Sequence, residues 1–242
     1  LVSNKLAYGY GFRMGPNTAI RDMTIRSNVP DGRAIGVDIT LPEDPNYGGP
    51  QILENLLIVT NVIDGRGISV KSGNALFKDV NIHAKGDNFI SGVAMIMSNV
   101  ELDNVSITAE AESGSAEGAI AYRDSVLKIR DSTINVIATD RASGIVHDTD
   151  AEIIVVSNSV VYTNGGASAY SIANRGTSPL VIRNCQLSSN FYSLYNFFDG
   201  SSTVVTSSVL VGDVGGSVEG NQCAYVARDT GVNLIELNST CQ

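Results

Sequence analysis

Apolar positions along the chain recur in one short cassette, apolar–x–(Asp/Asn)–x–x–apolar. It reads Ile20-Arg-Asp22-Met-Thr-Ile25, then Leu53-Glu-Asn55-Leu-Leu-Ile58, Phe77-Lys-Asp79-Val-Asn-Ile82 and Leu102-Asp-Asn104-Val-Ser-Ile107. It continues as Ile129-Arg-Asp131-Ser-Thr-Ile134, Val156-Ser-Asn158-Ser-Val-Val161, Ile182-Arg-Asn184-Cys-Gln-Leu187 and Val205-Thr-Ser207-Ser-Val-Leu210. The central positions are 33, 24, 25, 27, 27, 26 and 23 residues apart. The nine-residue run Pro42–Pro50 accounts for the excess in the first step and reads as an insertion that protrudes from the first complete coil. About ten residues before most copies stands another short apolar run opened by a small residue: Gly67-Ile-Ser-Val70, Gly92-Val-Ala-Met95, Ala119-Ile-Ala-Tyr122, Gly144-Ile-Val-His147, Ser171-Ile-Ala-Asn174 and Ser193-Leu-Tyr-Asn196. Two or three short strands per period, with no helical spacing, predict an all-β solenoid whose coils bury their inner faces only by stacking.

The repeat lacks the leucine-rich spacing and resembles instead the right-handed parallel β-helix, the pectate-lyase-like superfamily. The resemblance covers residues 17–212 and implies a single-stranded parallel solenoid of about eight to nine coils, with three parallel sheets. It also implies a stacked Asn or Asp at the tight turn between the second and third strands, where the column Asp22, Asn55, Asp79, Asn104, Asp131, Asn158, Asn184, Ser207 falls. These residues suit such a turn because they tolerate left-handed backbone. The whole chain, 1–242, is expected to be one domain: an entry strand over 1–16, coils over 17–212 and a cap over 213–242. The residue before the turn reads Arg21, Glu54, Lys78, Asp103, Arg130, Ser157, Arg183, Thr206. At strand spacing, charges alternating through Arg130 predict a surface ladder that fixes coil register rather than a substrate track.

Cys185 falls one position after the turn, in a column that becomes small towards the C-terminus, and is expected to be a buried free thiol. Cys223 and Cys241 flank two strand-like runs around a turn. They are expected to form a disulfide that staples a hairpin cap over the last coil. Such a bond points to an extracytoplasmic, secreted or cell-surface setting. A chain that opens at Leu1 further suggests a removed leader or a larger parent chain, and a homo-oligomer is a second expectation.

Composition narrows the partners. The net charge of −9, with no basic run, argues against nucleic acid, and no apolar stretch is long enough for membrane insertion. No cofactor is expected and no cysteine or histidine stands at metal-ligand spacing; Ca²⁺ among Asp87, Glu110, Glu112, Glu117 and Asp140, on similar loops of successive coils, has no D-x-D pattern behind it. Enzymes that the fold resembles act on acidic polysaccharides along the first-strand face. The N-x-D, D-D, G-H-G and R-I-K set of polygalacturonase-like hydrolases, the acidic cluster of calcium-dependent pectate lyases and the D-P-H of alginate epimerases are all missing here.

What remains on that face is the outward column Lys71, Ile96, Arg123, Asp148, Arg175, Phe197. The catalytic candidates are therefore Arg123, His147, Asp148 and Arg175, with Tyr122, Asn174, Asn196, Tyr195 and Phe197 as ligand-binding candidates. A lyase needs a neutralised carboxylate and a base, which this set would supply. The plainer reading makes Arg123, Asp148 and Arg175 a second surface ladder and lets His147 and Tyr122 fill the core. The run Phe191–Phe198, with Tyr162 and Tyr170 one coil away, predicts either an outward patch for sugar or protein, or a stacked aromatic core. The leading expectation is a non-catalytic surface, adhesion-like or spike-like module that binds polysaccharide. The alternative is a polysaccharide lyase or glycoside hydrolase.

Overall fold

The computed structural model describes residues 8–40, 50–148, 151, 153–197, 203–215, 224–227 and 234–237, and every regular element among them is a strand. The strands stack in parallel into three sheets, one for each strand of a coil. Register follows the cassette without slippage. Ile20, Leu53, Phe77, Leu102, Ile129, Val156, Ile182 and Val205 face one another down the second sheet. Ile25, Ile58, Ile82, Ile107, Ile134, Val161, Leu187 and Leu210 do so down the third. Both columns are buried and belong to one core cluster. Each such side chain contributes roughly 1.5–3 kcal/mol relative to exposure.

The turn between these sheets takes the expected conformation at all eight positions, with φ between 49° at Asn158 and Ser207 and 54° at Asp22. Eight turns mark seven complete circuits, so the expected eight to nine coils resolve into seven full turns with partial coils beyond. Asx side chains pair between coils: Asn55 Nδ2 donates to Asp22 Oδ1 (2.6 Å), Asn104 to Asp79 and Asn158 to Asp131 (3.1 Å). The alternation of Asp with Asn supplies an amide donor where two carboxylates would repel. The charged ladder beside it forms as well. Glu54 lies 2.8 Å from Arg21 and 3.8 Å from Lys78, and Asp103 takes two hydrogen bonds from Arg130. The Arg130 guanidinium holds the Asp103 carboxyl below its ordinary range.

Just inside the turn, Ser132 and Ser159 hydroxyls each donate to the carbonyl two residues back, at 2.7 Å, and accept a backbone N–H from the preceding coil, at 3.1 Å. Cys185 occupies the same niche, with its thiol on Arg183 O at 3.1 Å, buried and free as expected. Burial raises the pKa of this thiol.

At the C-terminal end, Ala224–Ala227 extends the third sheet in parallel, and Leu234–Leu237 pairs with it antiparallel, giving the expected hairpin strands. Cys223 and Cys241 lie outside the described residues, as do residues 41–49, which take in all of the insertion but Pro50.

The first sheet departs from simple alternation. Gly11, Gly36, Gly67, Gly92, Gly118 and Gly144 form a column pressed against the third sheet. A Cβ on Gly92 would lie 2.2 Å from Ile107 Cγ2 and 2.6 Å from Gly118 O. From Gly36 to Gly144 the residue after each glycine also turns inward, so Ile90 and Val93 both join the main core, whereas Phe12 after Gly11 is exposed. The strands kink at this point. Ala94, Ile120, Val146 and Ala173 then form a second apolar cluster, separate from the core, with Tyr122 and Tyr170 packed against it.

Candidate functional site

The kink makes the outer face of the first sheet concave. Two clefts open along it. One of about 320 Å³ is lined by Arg33, Ile35, Asp64, Arg66 and Phe89, among others. The second, of about 440 Å³, is lined by residues that include Arg66, Ser69, Ala94, Ile96, Tyr122, Arg123 and Asp148. Arg66 belongs to both, so they form one groove along the stack.

Register assigns the sequence candidates to different sides of this sheet. The inward column is Met95, Ala121, His147, Asn174, Asn196. His147 and Asn174 are fully buried and Asn196 nearly so, which removes all three from any ligand on the outer face. Asn174 Nδ2 donates to Asn196 Oδ1 at 2.9 Å and to Thr203 Oγ1 at 3.0 Å. His147 Nε2 lies 3.3 Å from Ala151 O, and burial lowers its pKa. These residues are a polar plug inside the solenoid, in line with the core-filling reading of His147.

The outward column reads Lys71, Ile96, Tyr122, followed by Asp148, Arg175 and Phe197, whose backbone N–H groups continue the stack. Arg123 is not in it. The coil aligns on Gly118, not on Ala119, so Tyr122 takes the column position. Arg123 falls in the following turn with a positive φ of 24°. A one-residue slip exchanges the two faces of a strand, which is why the sequence alignment placed Arg123 and Tyr122 the wrong way round. Arg123, Tyr122 and Asp148 nonetheless meet at the second cleft, while Arg175 sits 5.5 Å above the Phe197 ring.

Towards the C-terminal coils the same face of the sheet becomes aromatic, with Tyr122 and Tyr170 packed on one apolar cluster. Tyr170 and Tyr192 stack at 5.7 Å with their planes 7° apart. Tyr195 meets Tyr192 edge-on at 4.8 Å and Phe197 at 4.6 Å. Thus the run around Tyr195 forms an outward cluster and not a stacked core; Phe198 lies outside the described residues.

Sequence reasoning missed a buried polar column on this face of the sheet, between the cleft-lining Arg66 and the aromatic cluster. Glu117 was expected on a loop with other acidic residues, whereas it lies within the strand Ser115–Tyr122, only 2% exposed. Its column runs Arg66, Ser91, Glu117, Ser143, Tyr170, Tyr192. Arg141 Nη2 donates to Glu117 Oε1 at 3.3 Å. Burial raises the Glu117 pKa, and the charges of Arg141, Arg175 and Arg66 oppose that rise. The available signal was a carboxylate in a column of serines, hidden by aligning this coil on the wrong small residue. Among the other acidic positions, Glu110 and Glu112 share Lys85, at 3.9 and 3.1 Å.

Compared with known protein families, residues 49–210 match the model described as a right-handed β-helix region. The chain belongs to this β-helix family. No curated protein and no solved structure gives a significant match. Membership of the β-helix family fixes the architecture and the hand of the coil, while chemistry has to be argued from the groove.

Proposed function

We propose that this β-helix is a non-catalytic glycan-binding module working outside the cytoplasm, with an extended saccharide laid along the outer face of its first sheet. The observation that carries this reading is the outward cluster Tyr170, Tyr192, Tyr195 and Phe197, on the same sheet face as a groove edged by arginines. Aromatic rings offer apolar faces to the C–H faces of sugars, and Tyr adds a polar tip for a hydroxyl. Cleft walls with a few placed polar groups fix orientation. Catalysis by the set Arg123, His147, Asp148 and Arg175 would need His147 in the groove, and His147 faces the interior instead.

Affinity electrophoresis of the full chain through soluble neutral and acidic polysaccharides tests the proposal. At least one of them should retard the wild type. Tyr192→Ala should weaken that retardation about tenfold, within the range for a lost aromatic contact, with circular dichroism unchanged. Retardation by no polysaccharide overturns the binding reading. New reducing or unsaturated ends in the same samples would overturn the non-catalytic part of it.

A further inference from the structure

On the outer side of the first sheet, in and beside the column between the cleft-lining Arg66 and the aromatic Tyr170, four buried polar atoms on three adjacent coils have no hydrogen-bond partner: Glu117 Oε2, Arg141 Nε, Ser91 Oγ and Ser143 Oγ. Ser91 and Ser143 stand opposite Glu117 in register, one on each side. The Glu117–Arg141 pair uses only Oε1 and Nη2 for its mutual contact. A buried ion pair is hard to sustain unless its remaining lone pairs and protons are satisfied, because each orphan atom gives up its hydration for nothing in return. Such a cluster in a native fold calls for an occupant.

The chemistry of the orphans selects its class. Oε2 is an acceptor and Nε–H a donor, belonging to opposite charges of one pair. An anion would be repelled by the carboxylate and a cation by the guanidinium. A hydroxyl satisfies both at once, accepting from Nε–H while donating to Oε2. The two serine hydroxyls can each donate or accept for a neighbouring hydroxyl. Arg141, a third exposed, links the buried carboxylate to the solvent side of the sheet. We propose that Ser91, Glu117, Arg141 and Ser143 form a recognition subsite for adjacent hydroxyls of a neutral sugar. This rests on the glycan-binding reading and narrows it from saccharides in general to uncharged ones.

The test uses affinity electrophoresis in dextran and galactomannan, as neutral probes, and in polygalacturonate and chondroitin sulfate, as acidic ones. A neutral probe should retard the wild type most strongly. Glu117→Gln, which keeps the shape but adds a donor where an acceptor is needed, should weaken that retardation about tenfold, as expected for a hydrogen bond to a charged group. Ser143→Ala, a smaller change that keeps the ion pair, should weaken it about threefold and serves if Glu117→Gln fails to fold. Retardation lost in Tyr192→Ala but unchanged in Ser143→Ala and in folded Glu117→Gln overturns the subsite and leaves the groove standing. Retardation confined to the acidic probes also overturns the subsite alone. No retardation by any probe overturns both.

Discussion

Along the exposed turn from Asp22 to Asn184, Asx side chains meet partners on neighbouring coils, whereas along the outer face of the first sheet Ser91, Glu117 and Ser143 keep buried polar atoms unpaired. The physical stakes run the other way. An exposed Asn would be solvated without its neighbour, while an enclosed carboxylate oxygen has nowhere else to turn. Pairing on the turn therefore serves register, and its regularity is that of a scaffold. On the first sheet the unpaired atoms gather on three adjacent coils, where no such register pairing runs. In this solenoid, regular columns mark architecture and the broken column marks the groove.

The sharpest way to break the comparison is at the glycine kink, which shapes the groove without contributing a side chain to it. Gly92→Ala should cost about 3 kcal/mol or more, because both of the close neighbours are held by the stack. Thermal melts would check this, and a loss below 1 kcal/mol would show that the third sheet can yield there. Next in size is the polar plug behind the groove. Burial in the folded chain disfavours protonated His147, so the unfolded chain takes up a proton first as pH falls below the ordinary value of 6.5. Its share of stability is whole above that pH and declines below it. Between pH 7.5 and 5.5 the wild type should lose more stability than His147→Asn, which extends the Asn174–Asn196 column. Equal urea midpoint shifts in the two proteins would contradict this.

The turn should respond least. Asn104→Asp would set two carboxylates together at Asp79 and cost about 1 kcal/mol in low salt, less in high salt. Asn104→Gly keeps the left-handed backbone and loses only an exposed hydrogen bond, so its cost should stay within about 0.5 kcal/mol. A larger cost for Asn104→Gly than for Gly92→Ala would invert the whole comparison.

What the sequence makes legible follows the same division. The second and third strands have an Asx landmark between them, and all their columns, including the charge ladder, follow from it. The first strand has only a small residue to align on. In the coil Ser115–Tyr122 two small residues, Gly118 and Ala119, stand side by side, and choosing the second displaced Arg123 onto the outer face and concealed Glu117. Steric space decides between them, since only a glycine fits against Ile134. That information is three-dimensional. The groove also depends on two consecutive inward residues, a break in alternation that period-two patterning does not anticipate. His147 and its two asparagines show the converse. Polar residues at a strand end suggest a surface, yet the hydrogen bonds among Asn174, Asn196 and Thr203 let them occupy the interior.

The Asp-then-Asn rhythm of the turn, with basic and acidic neighbours in antiphase from Arg21 to Arg130, repeats every second coil and not every coil. Excising a single period, such as 80–104, would bring Lys78 against Arg130 and Asp79 against Asp131. Excising two, such as 56–104, sets Glu54 against Arg130 and Asn55 against Asp131 and so restores both kinds of pairing. Over this half of the molecule, length is therefore free to change by duplication or deletion only in pairs of coils, so that a lineage which lengthens or shortens the solenoid here should do so by about fifty residues at a time.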